Sequence, residues 1–141
     1  MKPRIAVVIG SLREESLTKQ FAQQVMNLAK DSFAFEIIAL DIPGYNPDRE
    51  DTPPQERTAL REGLKRSQGV RFFTPEYNRS LPGILKNALD VGSRPRGENA
   101  RENKIGGVLS ITPGDLGGFG ANSELRHVAS ILNIPFMPQP E

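Results

Sequence analysis

Residues 5–22, IAVVIGSLREESLTKQFA, constrain this chain more than any other stretch. They open with an uninterrupted apolar run, Ile5, Ala6, Val7, Val8 and Ile9, closed by Gly10. Such a run reads as a strand buried on both faces of a parallel sheet. From Leu17 the apolar residues Leu17, Phe21, Val25 and Leu28 recur at helical spacing and are expected on one face. Residues 10–16 form the loop between strand and helix, with one glycine, two serines and an arginine. A strand, a short loop and a helix N-terminus make an anion site, because the unpaired first-turn N–H groups and the helix dipole point at whatever the loop holds. Ser11 and Ser16 can donate hydroxyls, and Arg13 can add a charge-assisted fork. At this level a plainer alternative stays open: Ser16 caps the helix and Arg13 is a solvated surface charge.

Two common phosphate loops are excluded by spacing. The dinucleotide fingerprint needs three glycines and only Gly10 is present, while the Walker loop needs Lys before Ser or Thr and here Thr18 precedes Lys19. A loop of hydroxyls and arginine suits a terminal phosphomonoester better than a buried pyrophosphate.

The rest of the chain alternates strand and helix. A second strand is expected over residues 35–40, then a proline-rich polar loop over 41–52. Thr52 followed by Pro53 has the form of an N-cap with proline in the first turn, opening a helix through Ala59, Leu60 and Leu64. Residues 69–74 read as a third strand ended by Pro75, and Pro82 as the start of a third helix with Gly92 at its C-terminal cap. The charged residues between Arg94 and Lys104 read as a solvated loop. Residues 104–112 give a fourth strand, followed by a glycine-rich loop. Asn122 or Ser123 is expected to cap a fourth helix bearing Leu125, Val128, Ala129 and Leu132, and a fifth strand is expected from Ile134. His127 falls off the apolar face and reads as a surface residue.

This alternation argues an α/β fold, a parallel sheet with helices on both faces, in one domain over residues 1–141. Ligands in such sheets sit at the carboxyl ends of the strands, where residues 10–16, 75–80 and 112–118 lie. With no cysteine, disulfide and thiol chemistry are excluded, and one histidine argues against a His-rich metal site. Eighteen basic against 17 acidic residues give no broad positive field for nucleic acid or a membrane. No apolar segment reaches the length of a membrane span and the N-terminus is not signal-like, so a cytoplasmic location is expected.

Two longer motifs sharpen the reading. Gly10, Ser11, Arg13 and Ser16 match G-S-x-R-x-x-S-x-N, with Thr18 in place of asparagine, and residues 75–90, PEYNRSLPGILKNALD, match P-E-Y-N-x-S-x-P-G-x-L-K-N-A-x-D throughout. A looser match covers Pro113 to Gly118 with Leu125 and Arg126. In these residues the chain resembles the NAD(P)H-dependent FMN reductases of flavodoxin-like fold, which include quinone-, chromate- and azo-dye-reducing members. The resemblance implies a three-layer, doubly wound parallel sheet of five strands, here apparently truncated after the fifth. It also implies that Ser11, Arg13, Ser16 and Thr18, with Leu17 beside them, hold the FMN phosphate. Pro75, Glu76, Tyr77 and Asn78 would line the isoalloxazine largely through backbone groups, and Gly114, Gly117 and Gly118 would close over another edge. Gly120 stands where many members have arginine. The chemistry would lie on the flavin, with no catalytic side chain and no metal: NADH or NADPH passes hydride to FMN and a quinone, dye, free flavin or metal-oxyanion then takes its place. The alternative is a non-enzymatic flavodoxin-like electron carrier, which the near-neutral charge disfavours.

An assembly expectation follows from the helix after Pro82. Ile84, Leu85, Ala88, Leu89 and Val91 span an arc of roughly 160° at 100° per residue, wider than a sheet-covering stripe of about 100°. With the resemblance, this implies a homodimer or homotetramer through that helix.

Overall fold

Strands with unbroken apolar runs pair most stably where both faces can be covered. In the computed structural model, which describes residues 1–138, four such strands form one parallel sheet. They are β1 (Arg4–Ile9), β2 (Ala34–Ile38), β3 (Gly69–Thr74) and β4 (Ile105–Ser110), in the order β2-β1-β3-β4. The register sets Val8 beside Ile38 and Phe72, and Phe72 beside Val108. The helices are α1 (Leu17–Ala29), α2 (Gln55–Lys65), α3 (Gly83–Gly92) and α4 (Phe119–Ile131). On one face Ala6, Val8, Val70, Phe72 and Val108 pack with Leu60, Leu64, Leu85, Leu89, Leu125 and Ala129 of α2, α3 and α4. On the other, Val7, Ile9 and Phe73 pack with Ala22 and Met26 of α1. Beside α1 this second face is left open as an apolar cleft of about 370 Å³, lined among others by Phe33, Phe35, Arg71, Gly107 and Met137.

The expected fifth strand is represented by one parallel bridge, Phe136 against Gly106, with Gly106 N donating to Pro135 O at 2.9 Å. Its last residues, 139–141, lie outside the described residues.

Several local expectations are corrected. The buried stripe of α1 is Thr18, Ala22 and Met26, flanked by half-buried Phe21 and Val25, while Leu17 and Leu28 face out. Thr52 caps nothing. A residue before proline is held out of the helical region, so Pro53, preceding Pro54, does not join the helix and α2 opens only at Gln55 with Pro54 as its cap residue.

On α3 the wide apolar arc is not left over. Leu85, Ala88, Leu89 and Val91 are buried within the chain and Ile84 is half-buried. The flank is covered by the chain's own loop after β2, where Asn87 Oδ1 accepts from Tyr45 N at 2.8 Å and Asn87 Nδ2 donates to Pro43 O at 3.2 Å. The guanidinium groups of Arg57 and Arg94 in turn lie over the Tyr45 ring, 5.7 and 5.5 Å from its centre.

The loop between α3 and β4 is not wholly solvated. Arg101 is only 1% exposed. Its guanidinium reaches the last turn of α3, donating to Ala88 O at 3.4 Å and to Leu89 O. Gly92 ends the helix rather than capping it, and a Cβ there would sit 2.9 Å from the Arg101 Cζ. Cations at a helix C-terminus are stabilising because they meet the negative end of the dipole and orphaned carbonyls. Burial lowers the Arg101 pKa to about 10, with Asp90 opposing the shift and Arg61 adding to it, so the group is charged at neutral pH. Arg101→Ala removes these bonds and opens a cavity, and it should lower stability by about 2–4 kcal/mol. Denaturant unfolding would measure this, and a loss under 1 kcal/mol would show that Arg101 contributes little there.

Candidate functional site

Parallel pairing brings the ends of β1, β3 and β4 to one rim, and backbone bonds stitch them. Gly10 N donates to Phe73 O at 2.7 Å and Ile111 N to Thr74 O at 3.1 Å. The three loops singled out by sequence therefore lie side by side.

In the first loop Ser16 caps α1, its Oγ accepting from Lys19 N at 3.2 Å. The cap takes one orphan of the helix N-terminus. The first-turn amides of Leu17 and Thr18 donate to no acceptor among the described residues. Ser11 and Thr18 are buried, and neither hydroxyl is hydrogen-bonded among the described residues. Arg13 is exposed and forms no ion pair among the described residues. Unpaired amides, hydroxyls and a free guanidinium around one helix N-terminus are the donor set a phosphoryl group takes.

The second loop folds as a tight hairpin. Tyr77 N donates to Ser80 O and Ser80 N to Tyr77 O, both at 3.0 Å, and the two residues between, Asn78 and Arg79, have φ of 52° and 64°. Positive φ at both central positions is the pattern of a type I′ turn, which asparagine tolerates. The amides of Glu76 and Asn78 donate to no acceptor among the described residues, so they are available to a ligand. The Glu76 side chain is not. Its carboxylate is turned into the protein, accepting from Ala121 N at 3.1 Å and from Arg79 Nη1 at 3.2 Å.

The third loop leads into α4 earlier than expected. Gly118, at φ 85°, is the cap residue, and α4 starts at Phe119 rather than after Asn122 or Ser123. A left-handed backbone favours glycine, and a Cβ at Gly118 would also fall 2.8 Å from Ser110 Cβ. Asn122 lies inside the helix, donating to Ser110 Oγ at 3.3 Å and accepting from Arg126 Nε at 2.9 Å. Gly117 N closes the turn on Gly114 O at 3.1 Å. Around the rim the large apolar side chains Leu12, Tyr77, Leu116 and Phe119 are exposed, a surface suited to a flat ring.

All twelve residues expected at the site, Ser11, Arg13, Ser16, Leu17, Thr18, Pro75, Glu76, Tyr77, Asn78, Gly114, Gly117 and Gly118, fall on this rim. Sequence reasoning missed Glu124, and saw in Gly120 only a missing arginine, not the close approach by which both residues tie the second loop to α4. Glu124 Oε2 accepts from Leu81 N at 3.1 Å and from Ser80 Oγ, and a Cβ at Gly120 would lie 2.6 Å from Arg79 O. No local pattern announces them, since the contact spans separate segments. His127 is exposed, as expected. Among the described residues no group of three or more histidines or carboxylates is placed to hold a metal ion.

Comparison with known proteins shows the family. A family described as NADPH-dependent FMN reductase matches residues 3–141. A quinone reductase of Pseudomonas putida is 48% identical over 139 residues, 97% of this chain and 75% of the relative. A 2-hydroxy-1,4-benzoquinone reductase of a Burkholderia species is 40% identical over 142 residues, covering 100% of this chain and 78% of the relative. Among solved structures, the flavoenzyme NAD(P)H:(acceptor) oxidoreductase FerB of Paracoccus denitrificans superposes with a TM-score of 0.95 at 34% identity, covering 99% of this chain and 77% of that one. The chain therefore belongs to the NADPH-dependent FMN reductase family.

Proposed function

We propose that this chain is an FMN-dependent oxidoreductase that takes hydride from NADPH or NADH and delivers reducing equivalents to a small acceptor of the quinone class. The observation that carries the reading is the unpartnered donor set at the N-terminus of α1, on one rim with the free hairpin amides of Glu76 and Asn78 and with the glycine-rich turn. In this reading the amides of Leu17 and Thr18, the hydroxyls of Ser11 and Thr18 and the Arg13 guanidinium hold the FMN phosphate. Ser16 keeps the helix end in shape as its cap. The amides of Glu76 and Asn78 meet the polar edge of the ring, and residues Gly114, Gly117 and Gly118 approach it closely because they carry no side chain. Bound FMN supplies the hydride chemistry, and the protein supplies binding, orientation and an open face. Titration of the protein with FMN, followed by flavin fluorescence, tests the reading; absence of saturable uptake would overturn it.

The same proposal treats residues 1–141 as one domain whose sheet is completed by a fifth strand beginning at the Phe136 bridge, working in the cytoplasm. Among the described residues no helix is long and apolar enough to cross a membrane. A homodimer or homotetramer belongs to it as well, supported by the exposed apolar rim of Leu12, Tyr77, Leu116 and Phe119. Light scattering of the FMN-loaded protein at micromolar concentration should return at least twice the chain mass, and a monomer mass would remove assembly from the proposal.

Arg13→Ala should weaken FMN binding while leaving thermal unfolding of the apoprotein unchanged. A hydrogen bond to a charged partner is worth about 1.5–3 kcal/mol, so the Kd should rise roughly 10- to 150-fold. An unaltered Kd would place Arg13 outside the site. Steady-state kinetics should be ping-pong, because nicotinamide and acceptor use one exposed place; intersecting double-reciprocal lines would argue for two pockets.

A further inference from the structure

The first turn of α4 has no cap of its own. Its cap residue, Gly118, has no side chain, and the amide of Ala121 would be an orphan if nothing reached it. Glu76, from the loop after β3, supplies the missing acceptor across 45 positions of sequence, placing a carboxylate at the positive end of the helix dipole. The approach is possible only because residue 120 is glycine: a Cβ would sit 2.6 Å from Arg79 O and 2.8 Å from Glu76 Oε2. One turn further along α4, Glu124 returns the connection in the opposite direction. It accepts from the Leu81 amide at 3.1 Å and from the Ser80 hydroxyl, at the far end of the same hairpin. The hairpin is thus held at both ends by carboxylates, one from each partner segment.

From this geometry we infer that Glu124 is a positioning residue that, with Glu76, fixes the hairpin amides of Glu76 and Asn78 relative to the glycine-rich loop, and so sets the register of the two loops that face the flavin ring. The inference rests on the flavin reading given above. Glu124 itself touches no part of the donor set. It acts through Ser80 and Leu81, whose anchoring fixes the turn at Asn78 and Arg79. Tyr77 and Ser80 exchange both of their backbone bonds, so a hairpin released at Ser80 moves as a unit and carries the ring-facing amides with it.

The test is Glu124→Ala against Glu124→Gln in the FMN-loaded protein, read by the FMN Kd, the flavin absorbance envelope and the flavin midpoint potential, with apoprotein thermal unfolding alongside. Glu124→Ala should raise the FMN Kd by about 3- to 30-fold, the effect of losing charge-assisted bonds at a partly solvated site. It should also shift the flavin spectrum and potential. Glu124→Gln keeps an oxygen acceptor for the Leu81 amide and should restore most of both. Gly120→Ala, which forces the loops apart at the other contact, should change the spectrum and potential in the same direction as Glu124→Ala. Unchanged Kd, spectrum and potential in Glu124→Ala, with FMN still bound by the parent protein, would overturn the positioning role alone. A parent protein that takes up no FMN would overturn both the role and the flavin reading.

Discussion

Parallel hydrogen bonding between β1, β3 and β4 is the constraint on which the rest of this molecule depends. Because the strands run in one direction, every strand-to-helix loop leaves the sheet at the same rim. The bonds from Gly10 to Phe73 and from Ile111 to Thr74 extend this registration one residue past the strands. Residues more than a hundred positions apart, Ser11 and Gly117, lie on the same rim for this reason. The apolar packing beneath, Leu85 and Leu89 of α3 against Val8 and Phe72, keeps the rim rigid enough for loops to hold fixed amides.

The three helices that start at this rim satisfy their N-termini differently, and the differences separate binding surface from scaffold. Helix α3 begins after Pro82 with no side-chain cap, and the amides of Gly83 and Ile84 also donate to no acceptor among the described residues. Helix α4 is closed by the distant Glu76 carboxylate. Helix α1 is closed only in part, by Ser16, and keeps the amides of Leu17 and Thr18 free beside buried hydroxyls. At α1 free amides, buried hydroxyls and the unpaired Arg13 come together, which makes it the seat for an anion. That seat shares the rim with the glycine turn and with the hairpin, whose free amides at Glu76 and Asn78 and exposed apolar neighbours extend the surface available to a planar group.

Much of this was legible in the sequence. The bounds of β3 fell where an apolar run met Gly69 and Pro75, and the phosphate-type loop followed from a strand, a polar turn and a helical period in succession. What was not legible has a common cause, which is that its determinants lie far away in the chain. The start of α4 was placed too late because its cap comes from Glu76, 45 residues earlier, rather than from a neighbouring Asn or Ser. Arg101 looked like one more charge in a polar loop, whereas its role depends on the last turn of α3 and on the space left by Gly92. Asn87 lies within a long motif yet serves the loop that covers α3, holding Tyr45 and Pro43. Composition alone could not show that the apolar arc of α3 is covered from within. The late start of α2 was the exception, since the Pro53–Pro54 pair carried the information locally and outweighed the Thr52 cap signal.

The central claim is that the orphaned N-terminus of α1, the hairpin and the glycine turn act on one ligand. Backbone amide chemical shifts during titration of the apoprotein with FMN test it most directly. The amides of Leu17, Thr18, Asn78 and Gly117 should move together, with one midpoint and one equivalent of FMN per chain. Shifts confined to the apolar cleft beside α1, at Phe33, Arg71 and Gly107, with the amides of Leu17, Thr18 and Asn78 unmoved, would contradict it.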